Sequence, residues 1–301
     1  MEPKFIMMVG LVSSGKSYKA EQLAKEYDAT VFSSDKLREE LYGDVNDQSH
    51  NQELFVELHR HIKECLRSGK SAIFDATNIS YKRRMAFLKE LKNIPCEKIC
   101  VLMATPYEEC LKRNAERERK VPESVIKRMY MNFNVPYWYE GWDDIQVEYS
   151  GFRGYYGKPF DFYKKYKDYN QNNSHHTLSL GEHCRMTAVR LVSNYAHGML
   201  VYAGYLHDCA KSQVATFINS KGVKTSECHY YNHQYTSAYN SLFYNCGDHN
   251  PIDIAVIVMW HMRPYMAWKQ SEKARERDRR LLGEKLYNDI WWLHEADVTA
   301  H

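Results

Sequence analysis

The chain has 301 residues, enough for about two domains of ordinary size. Apolar residues make up 44% and charged residues 26%, which excludes a disordered or fibrous polypeptide. The formal net charge is +3, divided as −1 over residues 1–150 and +4 over residues 151–301. Neither half is a basic tail, so any contact with a polyanion must come from local clusters.

The eight cysteines form no CxxC pair, and no basic segment followed by an apolar leader opens the chain. The longest apolar run, Ile252 to Trp260, carries Asp253 and is too short to span a bilayer. These features predict a cytoplasmic protein with reduced thiols and no membrane partner.

The first half alternates β-like runs with amphipathic helical patterns. The predicted strands are Phe5–Val9, Thr30–Phe32, Ser71–Asp75, Lys98–Met103 and Ile145–Tyr149. Between the second and third, Gln52–Ser68 places Leu54, Phe55, Leu58, Ile62 and Leu66 on one side of a helix. Strands alternating with helices predict a doubly wound α/β domain with a parallel sheet covered on both faces.

The first strand runs into Gly10-Leu11-Val12-Ser13-Ser14-Gly15-Lys16-Ser17, a full match to GxxxxGK[ST] between a strand and a helix. Here Gly10, Ser13, Ser14 and Gly15 lend backbone N–H groups to the phosphates of ATP or another nucleoside triphosphate. Lys16 reaches the β- and γ-phosphates, and the Ser17 hydroxyl binds Mg²⁺.

The second strand ends in Ser33-Ser34-Asp35-Lys36-Leu37-Arg38, which puts Asp35 at the carboxyl edge of the sheet. An Asp there can take the proton of an attacking hydroxyl, with Arg38 one turn on; it can also simply cap a helix. The third strand ends in Phe74-Asp75-Ala76-Thr77-Asn78, which places Asp75 for a Mg²⁺-water or acceptor contact. Asn78 orients a hydroxyl or caps the next helix. After the fourth strand, Arg113 and Arg117 are four apart on a predicted helix and form a lid over the transferring phosphoryl group, unless Glu116 and Glu118 pair with them locally.

Residues 151–173 are rich in Gly, Tyr, Lys and Asn with no apolar period, and are predicted to be a linker. The region 174–301 is predicted to be an all-α domain, with helices such as Leu180–Tyr195, Gln234–Tyr244, Ile252–His261 and Arg275–His294. It carries His183, His207-Asp208, His233, His261 and Asp297, each about one helix from the next. A helical bundle builds metal sites by presenting one ligand per helix in this way. Imidazoles with carboxylates suit Mn, Co, Ni, Zn or Fe, and Asp208 can bridge two ions. Lys211, three residues after Asp208, is a candidate to hold a phosphate. Among fourteen histidines a lone one carries little weight, and His197 and His249 are expected at the surface or in caps.

Two resemblances follow. With GLVSSGKS at 10–17, SSDKLR at 33–38, DATN at 75–78 and KRNAERERKVP at 112–122, residues 1–150 resemble the P-loop kinase family that includes polynucleotide 5′-hydroxyl kinases. That resemblance implies Asp35 as general base and Arg38 on a phosphate of the acceptor nucleic acid, with Arg113 and Arg117 on the donor phosphates. Residues 174–301 resemble the HD metal-dependent phosphohydrolases in their six-ligand form, and the stretch Gln171 to His183, including His175-His176-Thr177, is similar to the entry of the tRNA nucleotidyltransferase HD domain.

The whole chain resembles bacterial end-healing enzymes that combine polynucleotide-kinase and HD modules, with RNA or DNA ends as substrate. The alternatives are a small-molecule or nucleoside kinase joined to an HD nucleotidase, and a non-catalytic nucleotide-gated regulator. The clusters Lys82-Arg83-Arg84 and Phe160–Tyr169 suit a nucleic-acid backbone, or are a solvated helix face and a tether.

Overall fold

A computed structural model describes residues 2–174, 177–194 and 197–300. The chain divides into two compact units, Met1–Ile126 with Pro136–Ser150, and Lys127–Val135 with Gly151–His301.

The first unit is built on five strands: β1 (Lys4–Val9), β2 (Thr30–Ser33), β3 (Ala72–Asp75), β4 (Glu97–Ala104) and β5 (Asp144–Tyr149). They lie in the order β2-β3-β1-β4-β5, and every pairing is parallel. All five coincide with predicted strands to within one or two residues. β1 sits in the middle with Phe5 to Val9 buried, as expected of a strand covered on both faces.

The helices α1 (Lys16–Tyr27), α2 (Ser34–Tyr42), α3 (Asn51–Arg67), α4 (Tyr81–Glu90) and α5 (Tyr107–Glu116) follow in turn. On α3, Leu54, Leu58, Ile62 and Leu66 recur every fourth residue and are buried. Ala20 and Leu23 of α1 pack on Ile6, Met8, Ile73 and Val101 of the sheet.

Arg84, expected with Lys82 and Arg83 on a basic surface, is instead enclosed. Its Nε and Nη2 donate to the two oxygens of Glu140 at 2.7 and 2.6 Å, and Nη1 donates to the Asn78 carbonyl at 2.8 Å. Both side chains are at most 1% exposed, while Lys82 and Arg83 are exposed. Trp142 Nε1 also donates to Glu140. Arg84→Ala strands a buried carboxylate and is expected to cost about 3–5 kcal/mol of folding stability. Urea unfolding measures it; a loss below about 1 kcal/mol would show that Glu140 finds other partners.

The second unit is mainly helical: α6 (Glu123–Tyr130, whose last residues lie here), α7 (Pro159–Tyr166), α8 (Leu180–Ser193), α9 (Gly198–Leu206), α10 (Lys211–Val214), α11 (His233–Ser241), α12 (Pro251–Trp260), α13 (Glu272–Leu282) and α14 (Glu284–Val298). α9 packs on α8, α12 and α14. A Cβ on Gly204 would come 2.8 Å from Leu191 and 3.0 Å from Ala188, so glycine sets the close approach of α9 to α8.

Three expectations are corrected here. Residues 151–173 are not a free linker: α7 buries Pro159 and Phe162 and packs on α8 and α9, and Gln171 is buried. Phe160 alone of that pair of phenylalanines is exposed, with Lys164 over its ring. The unit is not all-α, since β6 (Thr216–Ile218) and β7 (Lys224–His229) form an antiparallel ribbon. The predicted helix Arg275–His294 is two helices, broken at Gly283, whose φ of 76° only glycine adopts readily.

His175 and His176 lie outside the described residues. No described helix is long and apolar enough to cross a membrane.

Candidate active sites

In the first unit the P-loop joins central β1 to α1. Gly15 takes φ 92° and Ser13 φ 62°, and a Cβ on Gly10 would come 2.6 Å from Ser14 Oγ, so the loop curls tightly. Lys16 Nζ donates to the Leu11 carbonyl at 2.6 Å. Burial lowers the Lys16 pKa, opposed by Asp75, Cys110 and Asp35.

The Ser17 hydroxyl donates to Asp75 Oδ2 at 2.8 Å. Burial raises the Asp75 pKa against the pull of Ser17 and Lys16. A hydroxyl beside a carboxylate at the mouth of a P-loop is a donor set that fits Mg²⁺, a hard cation that takes oxygen ligands. Asn78 does not cap the next helix, whose N-cap is Ser80. With φ 47° it donates Nδ2 to the Met8 carbonyl at 2.9 Å, and Gly10 N–H donates to the Thr77 carbonyl, so the turn after β3 is latched to β1.

The β2–β3 register sets Ser33 beside Asp75, which brings Asp35, in the first turn of α2, to the same sheet edge. Arg38 Nη1 donates to Asp35 Oδ1 at 3.0 Å and Nη2 to Asn51 Oδ1 at 2.9 Å. Arg38 is buried, so the residue expected on an acceptor phosphate has its terminal nitrogens committed to protein partners.

The lid differs from its expected form. α5 ends at Glu116 and Arg117 is extended (φ −74°, ψ 148°), so Arg113 and Arg117 do not share a helix face. They nonetheless reach the same loop. A Cβ on Gly15 would lie 3.9 Å from Arg113 Nη1, and Arg117 Nη1 is 3.3 Å from Ser13 Oγ. Arg113 is also paired with Glu109 and bonded to Ser150.

Sequence reasoning missed Arg119. Its Nη1 donates to Asp35 Oδ2 at 3.0 Å, Nε to Asn46 Oδ1 at 2.9 Å and Nη2 to the Val45 carbonyl at 3.0 Å. Assuming a continuous helix through 117–119 concealed it. Asn114, buried at the end of α5, braces this turn by exchanging two hydrogen bonds with the backbone of Val121.

In the second unit all six predicted ligands come together. Asp208 lies at the centre, with Oδ2 3.6 Å from His183 Nε2 and 3.3 Å from His207 Nε2. Asp297 Oδ1 closes that side at 2.9 Å from His183 and 3.4 Å from His207. On the other side Asp208 Oδ1 is 3.2 Å from His233 Nε2 and 3.8 Å from His261 Nε2.

The hydrogen bonds at Nδ1 fix the tautomers. Each Nδ1 faces a backbone carbonyl and must donate: His183 to Ala300, His207 to Gly204, His233 to Tyr230 and His261 to Val258. The neutral rings therefore turn Nε2 lone pairs inward, and within each pair these nitrogens are only 3.3 Å apart. Asp208 Oδ1 is buried and accepts no hydrogen bond. Lone pairs facing lone pairs and carboxylates call for a positive charge between them.

The electrostatics show the same demand for positive charge: although burial disfavours its charge, Asp208 and Asp297 push His207 up to about 10, so with no cation between them a proton takes the place at Nε2. Burial and the neighbouring imidazoles of His207 and His233 push His261 down to about 3. The residues thus fit a nitrogen-rich pair of divalent transition-metal sites bridged by Asp208.

Lys211 Nζ lies 2.6 Å from Asp208 Oδ2 and donates to buried Gln171 Oε1 at 3.1 Å. It is thus held against the bridging carboxylate, and Gln171, read as part of a linker, was missed. His197 caps α9 through Nδ1 and pairs with Asp289, as expected for a structural histidine.

The AAA domain family model matches residues 5–136. The L-seryl-tRNA(Sec) kinase of Methanococcus maripaludis is 31% identical over 150 residues, which are 48% of this chain and 58% of that protein. The chain thus spans less than two thirds of that curated relative. Among solved structures, one chain of the Pnkp1/Rnl/Hen1 RNA repair complex is 20% identical over 42% of each chain, with a TM-score of 0.36. A sugar kinase from Janibacter sp. is 15% identical over 49% of this chain and 85% of its own, with a TM-score of 0.38. The first unit has the parallel-sheet α/β fold of P-loop kinases.

Proposed function

We propose that the chain is a bifunctional nucleic-acid end-healing enzyme. Its first unit transfers the γ-phosphoryl group of a nucleoside triphosphate to 5′-hydroxyl ends. Its second, an HD-type unit, hydrolyses 2′,3′-cyclic, 2′- or 3′-phosphate ends. The observation that carries this reading is that one chain holds two clusters of polar side chains with different donor sets. One has oxygen donors, Ser17 and Asp75, beside a P-loop. The other is a nitrogen-rich cluster around Asp208. RNA cut by ribonucleases commonly carries a 5′-hydroxyl and a cyclic phosphate, and neither end can be ligated.

In the first unit Asp35 accepts the proton of the acceptor hydroxyl as its oxygen bonds to the γ-phosphorus and the bond to the ADP oxygen breaks. Lys16, Arg113 and Arg117 neutralise the charge on the transferring group, and Ser17 with Asp75 would hold Mg²⁺. In the second unit His183, His207, Asp297, His233, His261 and Asp208 would hold the pair of divalent cations. Such a pair supplies a hydroxide nucleophile and a clamp for the phosphate. Lys211, 2.6 Å from Asp208 Oδ2, lies beside the place such a phosphate would take.

The reading is tested with 5′-hydroxyl oligonucleotides and labelled ATP, with nucleosides as competitors, and with RNA ending in a 2′,3′-cyclic phosphate. The expected result is label on the 5′ end, resistance to nucleoside competition, and release of the cyclic end. Phosphorylation of nucleosides in preference to oligonucleotides would overturn the kinase assignment. A second reading, favoured by the likeness to L-seryl-tRNA(Sec) kinase, keeps the acceptor on RNA but makes it the hydroxyl of an aminoacyl group. Charged and uncharged tRNA in the same assay separate the two.

A further inference from the structure

We propose that Arg119 gates the acceptor side of the first site: it competes with the acceptor hydroxyl for Asp35 and passes to the acceptor's phosphate when the hydroxyl takes its place. The proposal rests on the kinase reading above and names the feature that selects the acceptor, a phosphate next to the attacked hydroxyl.

The two oxygens of Asp35 are held unequally. Oδ1 takes Nη1 of Arg38, which is three residues on in the same helix, 5% exposed, and tied through Nη2 to Asn51. That contact is fixed by the fold. Oδ2 takes Nη1 of Arg119, whose side chain is 31% exposed and comes from the turn beyond the end of α5. The approach to Asp35 on the Oδ2 side is therefore the one that can open.

Arg119 also has a second anchorage, through Nε to Asn46 and Nη2 to the Val45 carbonyl, so it can leave Asp35 without leaving the site. Released from the carboxylate, Nη1 can donate a charge-assisted hydrogen bond to a phosphate oxygen while Nε and Nη2 stay anchored. Arg38 is 5% exposed, with Nη1 and Nη2 engaged and its Nε buried without a hydrogen-bond partner, so it is less free to move than Arg119. While Arg119 donates to Oδ2, it competes with water for that oxygen of a base whose side chain is 53% exposed. Water that did use it would give its proton to Asp35, bond to the γ-phosphorus, and release ADP and phosphate.

Two readouts separate this from a merely structural role. In Arg119→Ala, ATP hydrolysis without acceptor is expected to rise about tenfold, and in Asp35→Asn/Arg119→Ala the rise is expected to vanish. Hydrolysis that does not rise, or that stays raised in the double variant, would overturn the gate. In Arg119→Ala the KM for a nucleoside 3′-monophosphate should increase about tenfold, while the KM for ATP and for the unphosphorylated nucleoside stay within about twofold. Arg119→Lys should fall between, since it keeps the charge but not the anchorage through Nε and Nη2. An equal loss on both acceptors would overturn the phosphate contact. A wild-type enzyme that uses neither acceptor would overturn the polynucleotide reading, and the hydrolysis assay would still decide the gate.

Discussion

Asp35→Asn is expected to lower phosphoryl transfer to a 5′-hydroxyl end by about 10²–10⁴-fold, the usual contribution of a positioned general base. Nucleotide binding should persist, because the P-loop, Ser17 and Asp75 do not depend on Asp35 for their contacts. Asparagine has the same shape but one oxygen instead of two. It can satisfy either Arg38 or Arg119, not both, and it cannot take the proton. Lys16→Ala should be at least as damaging for a different reason. It removes the cation at the β- and γ-phosphates, and the loss of such a preorganised group costs about 10²–10³-fold in turnover. Single-turnover transfer together with ATP binding separates the two. Asp35→Asn protein that labels oligonucleotides at near the wild-type rate would remove Asp35 as the base.

Much of this site was legible because its parts are local. A P-loop is eight consecutive residues whose backbone does the binding, and the continuous apolar run of β1 marks a central parallel strand. The strand ends at Ser33 and Asp75 follow from the same reasoning. What was not legible depends on where a helix stops and on long-range partners. Arg119 gains its role because α5 ends at Glu116, and a charged run such as 116–120 carries no clear stop signal. Arg84 looks like surface charge in KRR, and only the return of the chain at Glu140 makes it a core residue.

In the second unit the cluster of histidines and aspartates was legible from the spacing of its six residues along a helical pattern. Its supports were not. α7 lies in a Tyr- and Lys-rich stretch whose burial rests on few residues, Pro159 and Phe162 among them. The ribbon β6–β7 is short, and the KTSECH sequence of β7 has almost no apolar alternation to announce it. Gln171, which fastens Lys211, is a single polar residue 40 positions away. The helix break at Gly283 was visible as a glycine, but the apolar period carries through it on both sides.

The largest effect in the second unit is expected from Asp208→Ala. Among the six clustered residues Asp208 is the carboxylate that faces both imidazole pairs, and its two oxygens face opposite halves of the cluster. With alanine there, each pair of Nε2 lone pairs keeps at most one carboxylate: Asp297 for His183 and His207, and none of the six predicted ligands for His233 and His261. Buried imidazoles retain their Nδ1–carbonyl bonds, so the rings should stay oriented while the charge that holds divalent cations is lost. Lys211 loses its ion pair and is left buried beside them, which adds repulsion toward any cation. Metal retained by the purified protein should therefore drop from two ions to fewer than one, and hydrolysis of a cyclic-phosphate end should fall to background. Losing even one outer-shell partner of a metal site typically costs about 10–100-fold in affinity or activity, and removal of the bridging ligand should exceed that. Phosphoryl transfer to 5′-hydroxyl ends should survive, since Ser17, Asp75 and Asp35 lie in the other unit. Metal analysis, phosphate release and 5′ labelling on one preparation make the comparison. Unchanged metal content would remove Asp208 as the bridge, and loss of 5′ labelling along with hydrolysis would show that the two activities are not separable.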